Sequence, residues 1–183
     1  MNIIQTSLQG CFIIEPRVFK DERGYFFESF NERTFTEKTG LDIHFVQDNQ
    51  SFSSQGVLRG LHYQVGEFAQ AKLVQVLQGE VLDIAVDIRP ESATYGQYVS
   101  VVLTGENKKQ MFIPKGFAHG FLVLSPTALL SYKCDNFYHK EAEGGIAFDD
   151  ATIGIDWGFS SEKLIISEKD QNNPTLENAR RVW

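Results

Sequence analysis

The sequence predicts an all-β domain, a sandwich or jelly-roll barrel carrying a few short peripheral helices. Three observations predict it. Short runs rich in Val, Ile, Phe and Tyr recur from end to end between turn residues. Convincing helical periodicity is confined to two short stretches. The chain of 183 residues, 42% hydrophobic and 22% charged, has the values of one folded domain over residues 1–183 and not of a disordered or coiled-coil chain.

In chain order, strands are expected at 12–15, 25–30, 45–49, 57–64, 98–103, 109–113, 120–125 and 129–136, with a hairpin over 72–88. The hairpin is the plainest: Leu82, Ile84, Val86 and Ile88 alternate with Asp83, Ala85 and Asp87, and Gln78-Gly79-Glu80 supplies the turn. That alternation predicts one buried face. A helix is expected over 31–39, with Asn31 as its N-cap and Gly40 as its stop, and a second around 175–180. The stretch 141–156, rich in Gly and acidic residues, reads as loop.

Seventeen basic against 24 acidic residues give a net charge of −7. No global basic field exists for a nucleic acid polymer, so an anionic ligand must be small and held by local cations. Two cysteines, Cys11 and Cys134, make no disulfide framework and are expected as reduced, buried thiols. The N-terminus lacks the pattern of a secretory leader and no run of 18 apolar residues occurs, so a cytoplasmic protein with no membrane partner is expected.

Four segments concentrate polar residues that a plain β core would not choose: Asp21-Glu22-Arg23-Gly24-Tyr25-Phe26-Phe27-Glu28, Val46-Gln47-Asp48-Asn49, Leu58-Arg59-Gly60-Leu61-His62-Tyr63-Gln64, and Phe112-Ile113-Pro114-Lys115-Gly116-Phe117-Ala118-His119-Gly120. A charged side chain inside such a fold is costly unless it is paired or meets a ligand. His44 and His139 sit in polar stretches and read as ordinary surface or core histidines. His62 and His119 lie among strand-like residues, which points to a shared cavity. Lys72 opens an apolar strand, and the sequence leaves open whether it snorkels to water or stabilises developing negative charge. Tyr132 shares a strand face with Leu130 and Cys134, as a core tyrosine or a functional hydroxyl.

Six motifs, Asp21-Glu22-Arg23-Gly24-Tyr25-Phe26, Val46-Gln47-Asp48-Asn49, Leu58-Arg59-Gly60-Leu61-His62, Lys72-Leu73-Val74, Phe112-Ile113-Pro114-Lys115-Gly116-Phe117-Ala118-His119-Gly120-Phe121 and Ser167-Glu168-Lys169-Asp170, occur in this order in dTDP-4-dehydrorhamnose 3,5-epimerases, and the chain resembles that family over nearly its whole length. The resemblance implies a cupin-type jelly-roll β-barrel without metal, a homodimer, and a role in making dTDP-L-rhamnose. By position it makes His62 the general base, Asp170 the group orienting its ring, Tyr132 the acid on the opposite face and Lys72 the cation that stabilises the enolate. It also assigns Arg23, Phe26, Glu28, Gln47, Asp48, Asn49, Arg59, Lys72, His119, Glu143 and Lys169 to the nucleotide-sugar site, with Tyr138 stacking on thymine. The family's N-terminal strand crosses between subunits, which would let Arg23 and Glu28 complete the partner's site.

The chemistry fits that inventory. In a 4-keto sugar both C3 and C5 adjoin the carbonyl, so one base, one acid and one cation suffice and no cofactor is needed. Metal-binding cupins supply His-X-His; here His62-Tyr63-Gln64 replaces the second histidine and leaves too few strong ligands. Arg23 and Arg59 suit a diphosphate. Strict alternation, however, puts Arg59 and His62 on opposite strand faces, and a bulge at Gly60 is the device that would reconcile them. Three other readings are weighed: an epimerase of one carbon only in a related pathway, a metal-dependent cupin oxygenase, and a non-catalytic sugar-binding module.

Overall fold

The β-branched and aromatic runs fold into fourteen strands in the computed structural model, which describes residues Met1–Trp183. They are β1 (Asn2–Gln5), β2 (Phe12–Glu15), β3 (Phe19–Asp21), β4 (Gly24–Phe26), β5 (Gln47–Ser54), β6 (Val57–Gln64), β7 (Lys72–Gln78), β8 (Glu80–Asp87), β9 (Tyr98–Thr104), β10 (Gln110–Ile113), β11 (Phe117–Val123), β12 (Thr127–Cys134), β13 (Glu143–Gly145) and β14 (Ile165–Ile166). Helix α1 (Glu32–Thr39) lies between β4 and β5, and the short α2 (Glu168–Gln171) follows β14.

Two sheets face each other. One runs β1-β2-β10-β7-β12-β5, the other β13-β6-β11-β8-β9 with β14 parallel to β6. The β3–β4 hairpin stands apart from both. No ladder joins the two sheets, so the all-β jelly roll is an open two-sheet sandwich. The successive strands β5 and β6 belong to different sheets, and the gap between them is lined by Gln50, Ser51, Val57 and Arg59.

Period-two alternation sorts the side chains. Val74, Val76, Val81, Ala85, Phe117, Phe121, Leu130 and their neighbours form an apolar core between the sheets. Leu58, Leu61, Ile84, Val86 and Leu122 face the other way, under Trp157, Leu176 and Val182 of the C-terminal segment. The 72–88 hairpin is therefore buried on both faces, not one, and Asp83 and Asp87 are fully buried. Gly79 makes its turn with φ +82, and a Cβ there would lie 2.1 Å from the Thr127 carbonyl oxygen.

Helix α1 forms as its sequence predicts: the Asn31 side chain accepts from the Thr34 N–H at 3.0 Å, and Gly40 ends the helix with φ 73. It buries Phe35 against Phe12, Phe30, Phe45 and Phe112 on the outer face of the first sheet. Elsewhere the boundaries shift. β4 ends at Phe26, β5 starts at Gln47, β11 starts at Phe117, and the tail expected to be helical has only a single 3-10 turn, Leu176–Asn178. The 141–156 loop contains β13, which is held against β6.

One irregularity decides the site. Along β6 and β11, Arg59 pairs with Phe121 and His62 with His119, so three steps on β6 match two on β11. The extra residue is a β-bulge, and it puts Arg59 and His62 on the same inward face. Gly60 has φ +128, and a Cβ on it would sit 2.6 Å from Gly120 Cα. The close approach of two backbones requires glycine here.

Candidate active site

The inward face is apolar over most of the sandwich and polar where β5, β6, β7, β11 and β12 meet. Two adjoining cavities of about 160 and 670 Å³ share His62, Lys72 and Tyr132. The smaller adds Gln47, Asn49, Gln64, Cys134, Tyr138 and Glu143; the larger adds Ser51, Arg59, His119, Lys169 and Asp170. His62 projects from one sheet, Lys72 and Tyr132 from the other. A groove of about 630 Å³ beside the C-terminal tail contains none of the predicted residues.

His62 Nε2 lies 2.6 Å from Asp170 Oδ1. Ser167 caps α2 by accepting from the Asp170 N–H at 3.1 Å, which fixes the carboxylate's position. The bulge supplies a second contact, with Gly60 N–H donating to Asp170 Oδ2 at 3.2 Å. Burial acts to raise the Asp170 pKa, but the hydrogen bond and charge of His62 and the Gly60 N–H outweigh it and hold the carboxyl below its ordinary value. An ionised carboxylate only accepts, so Nε2 carries the proton, which leaves Nδ1 as the ring nitrogen that can act as a base.

Lys72 Nζ stands 5.8 Å from the centre of the Tyr132 ring. Burial lowers the Lys72 pKa and raises that of Tyr132, so the phenol stays protonated near neutral pH. Arg59 Nε donates to Ser53 Oγ at 3.2 Å. At the cavity edge Gln47 Nε2 donates to Asn49 Oδ1 at 2.9 Å, and the Gln47 oxygen accepts from the Tyr138 N–H at 3.0 Å. The Tyr138 hydroxyl donates to Glu143 at 3.2 Å, and Glu143 pairs with Lys169 at 2.6 Å. For Glu143 too, burial is outweighed by its hydrogen bonds and the Lys169 charge, and its pKa falls. The Tyr138 ring is 53% exposed, a face open to stacking.

Four predicted residues are not brought to this cavity. Asp48 is corrected: alternation on β5 turns it away from Gln47 and Asn49, and it pairs with Lys133 at 2.9 Å. Arg23 and Phe26 lie exposed on the β3–β4 hairpin, Arg23 paired with Asp21 at 2.5 Å. Glu28 accepts from the Asn31 amide at 3.0 Å beside α1. His44 pairs with Glu32 at the surface, and His139 stacks on Phe68 with ring centres 3.9 Å apart.

The same alternation exposes residues the motif reading missed. Ser51 and Ser53 continue the inward row of Gln47 and Asn49, and Asp83 lies inward beside His119. Counting by twos from Asn49 would have found the serines. Cys11 and Cys134 are free and buried, and burial pushes their thiols up to about 12 and about 11.

No group of three or more His, Cys, Asp or Glu side chains converges as a metal site. Gln64, where a metal-binding cupin has histidine, is committed to backbone: its amide donates to the Phe68 and Phe137 carbonyls at 2.7 and 3.1 Å and its oxygen accepts from the His139 N–H at 2.6 Å.

Comparison with known proteins gives one consistent family. The family model described as dTDP-4-dehydrorhamnose 3,5-epimerase matches residues 5–178. The Escherichia coli K12 protein of that name is 52% identical over 182 residues, covering 100% of this chain and 98% of its own. The crystal structure of the Elizabethkingia anophelis protein of that name superposes with a TM-score of 0.94 at 57% identity, covering 97% of each chain. A Legionella pneumophila dTDP-6-deoxy-D-glucose-3,5-epimerase in complex with dTDP-4-keto-L-rhamnose gives 0.93 at 51% identity, covering 97% of this chain and 93% of that one.

Proposed function

The chain belongs to the dTDP-4-dehydrorhamnose 3,5-epimerase family, and from that premise we propose that it inverts C3 and C5 of dTDP-4-dehydro-6-deoxy-D-glucose, giving dTDP-4-dehydro-L-rhamnose for dTDP-L-rhamnose synthesis. The observation that carries the mechanism is one geometry: His62 on one sheet, paired with Asp170 of α2, faces Tyr132 on the other sheet across a cavity that Lys72 also lines.

His62 Nδ1 takes the proton from the carbon next to the ketone, and the bonding pair moves to the carbonyl oxygen as an enolate. Lys72 faces that charge; a cation held in a partly dehydrated cavity stabilises it more than water would. Asp170 supports the imidazolium that forms. Tyr132 then gives its hydroxyl proton to the carbon from the opposite side, which inverts the centre, and solvent restores both groups. Repetition at the second carbon completes the reaction. No cofactor enters this sequence, because Lys72 supplies the positive charge and no electron is gained or lost.

Arg59 serves the diphosphate, and Gln47, Asn49, Tyr138, Glu143, Lys169 and His119 hold the nucleotide sugar around it. For Arg23, Phe26 and Glu28 we propose that a homodimer delivers them to the partner's cavity. The β3–β4 hairpin, with Phe19, Tyr25 and Phe26 exposed and no sheet beside it, supports that arrangement. No helix is long and apolar enough to cross a membrane. Two buried free thiols support a reducing, cytoplasmic setting.

NMR of the substrate incubated with the protein in deuterium oxide tests the reading. Deuterium at both carbons with inversion at both is expected. Inversion at one carbon would establish the single-carbon reading, and absence of exchange at both would overturn the enzymatic one.

A further inference from the structure

Asp83 shares the inward face of β8 with Val81 and Ala85 and is fully buried. Its Oδ1 accepts from His119 Nε2 at 2.8 Å, and its Oδ2 is buried with no hydrogen-bond partner. A buried carboxylate with an empty oxygen is costly unless positive charge stands near it. His119 from β11 binds it and lines the same cavity as Lys72 from β7, and Cys11, ahead of β2, packs in the core cluster of its strand neighbours Val81 and Ala85. Around Lys72 stand Tyr132 and Cys134 from β12, Glu143 from β13, and the imidazoles of His62 and His119 across the cavity.

Most of these supply no cation. The Cys11 thiol is pushed up to about 12 and stays neutral. Burial drives the His119 pKa down despite the adjoining carboxylate, so His119 is a neutral donor. Arg89, near the end of the same strand, is already paired with Asp87 at 2.6 Å. Lys72 remains.

Resting on the reading that Lys72 stabilises the enolate, we propose that Asp83 is a positioning residue whose buried charge keeps Lys72 in its ammonium form. The same carboxylate fixes His119 as the Nε2–H tautomer, so that Nδ1 is left to accept from a substrate hydroxyl. Neither effect requires Asp83 to touch the substrate. Burial opposes the charge on Lys72, and the neighbouring Cys134, Asp83 and Glu143 oppose that depression.

Asp83→Asn keeps the shape and an acceptor for His119 but removes the charge. The alkaline limb of kcat/KM should move to lower pH by about one unit, the scale of a lost neighbouring charge. In protein labelled with 13C at lysine Cε, the Lys72 resonance, assigned by its loss in Lys72→Arg, should report the ammonium at pH 7.5 in the parent and titrate at lower pH in the variant. An unshifted Lys72 titration would overturn the proposal, whatever happens to thermal stability. A neutral Lys72 amine at pH 7.5 in the parent would overturn it even where the variant does not fold. A shifted Lys72 titration with an unchanged activity profile would uphold the charge coupling and overturn the role of Lys72 in the reaction.

Discussion

Asp170→Asn changes one atom type at the centre of the site and leaves its volume intact. Two donors meet the native carboxylate, His62 Nε2–H at 2.6 Å and Gly60 N–H at 3.2 Å. An amide has one acceptor oxygen and so serves only one of them. With its oxygen toward Gly60, its NH2 faces His62 Nε2 and forces the proton to Nδ1, the nitrogen that must act as base. With its oxygen toward His62, its NH2 opposes the Gly60 N–H inside a site where Asp170 is only 3% exposed. The lost charge-assisted hydrogen bond to the imidazolium is worth about 1.5–3 kcal/mol, roughly 10- to 150-fold in rate. The wrong tautomer extends the loss toward about 10⁴-fold, as when a histidine loses its orienting carboxylate in a hydrolase triad. We therefore expect kcat to fall by about 10²- to 10⁴-fold, with KM within about threefold because Asp170 does not hold the nucleotide. Initial rates of deuterium exchange at C3 and C5, followed by NMR, measure it. A kcat within twofold of the parent would refute the pairing as the source of the base.

Tyr132→Phe keeps the ring against the core but removes the proton donor; exchange at C5 should persist while inversion there largely stops, and loss of both would make Tyr132 a packing residue instead. Arg59→Ala should weaken dTDP binding by about 1.5–3 kcal/mol in calorimetry, and unchanged affinity would place Arg59 outside the diphosphate contact. Gly60→Ala forces a Cβ to within 2.6 Å of Gly120 Cα at a φ that side chains rarely adopt. It should destabilise the fold by roughly 2–4 kcal/mol and lower kcat by displacing Arg59 and His62; native stability in urea titration would contradict the bulge. Asp87 is buried, which acts to raise its pKa, yet hydrogen bonds from Arg89, Ser92 and Thr94 bring it from 3.8 to about 2. The folded value is depressed, so its stabilisation of about 2 kcal/mol is complete above pH 4 and lost as pH falls through about 2. Asp87→Asn should abolish that part of the acid limb of urea stability, and an unchanged limb would count against the network.

Local chemistry was enough to determine much of this protein. Alternation marked the β7–β8 hairpin, and Asn31 and Gly40 bounded α1, because turn, cap and strand signals act over a few neighbouring residues; the roles of His62, Lys72, Tyr132 and Asp170 came from the family resemblance and not from local signals. What needed the tertiary structure was the face on which a residue falls. Arg59 and His62, on opposite faces by counting, share one because β11 pairs with β6 around an extra residue, and Asp48 is turned out where its neighbours turn in. Asp83 looks like the polar side of a half-buried hairpin, yet the facing sheet covers it, and the pairing of β8 with β11 places it beside His119. Whether the jelly roll closes was also a tertiary matter: no ladder joins the two sheets, and His62 and Tyr132 face across the gap between them. Register and layering are set by contacts between distant parts of the chain, and a one-residue change in pairing reverses every side chain beyond it.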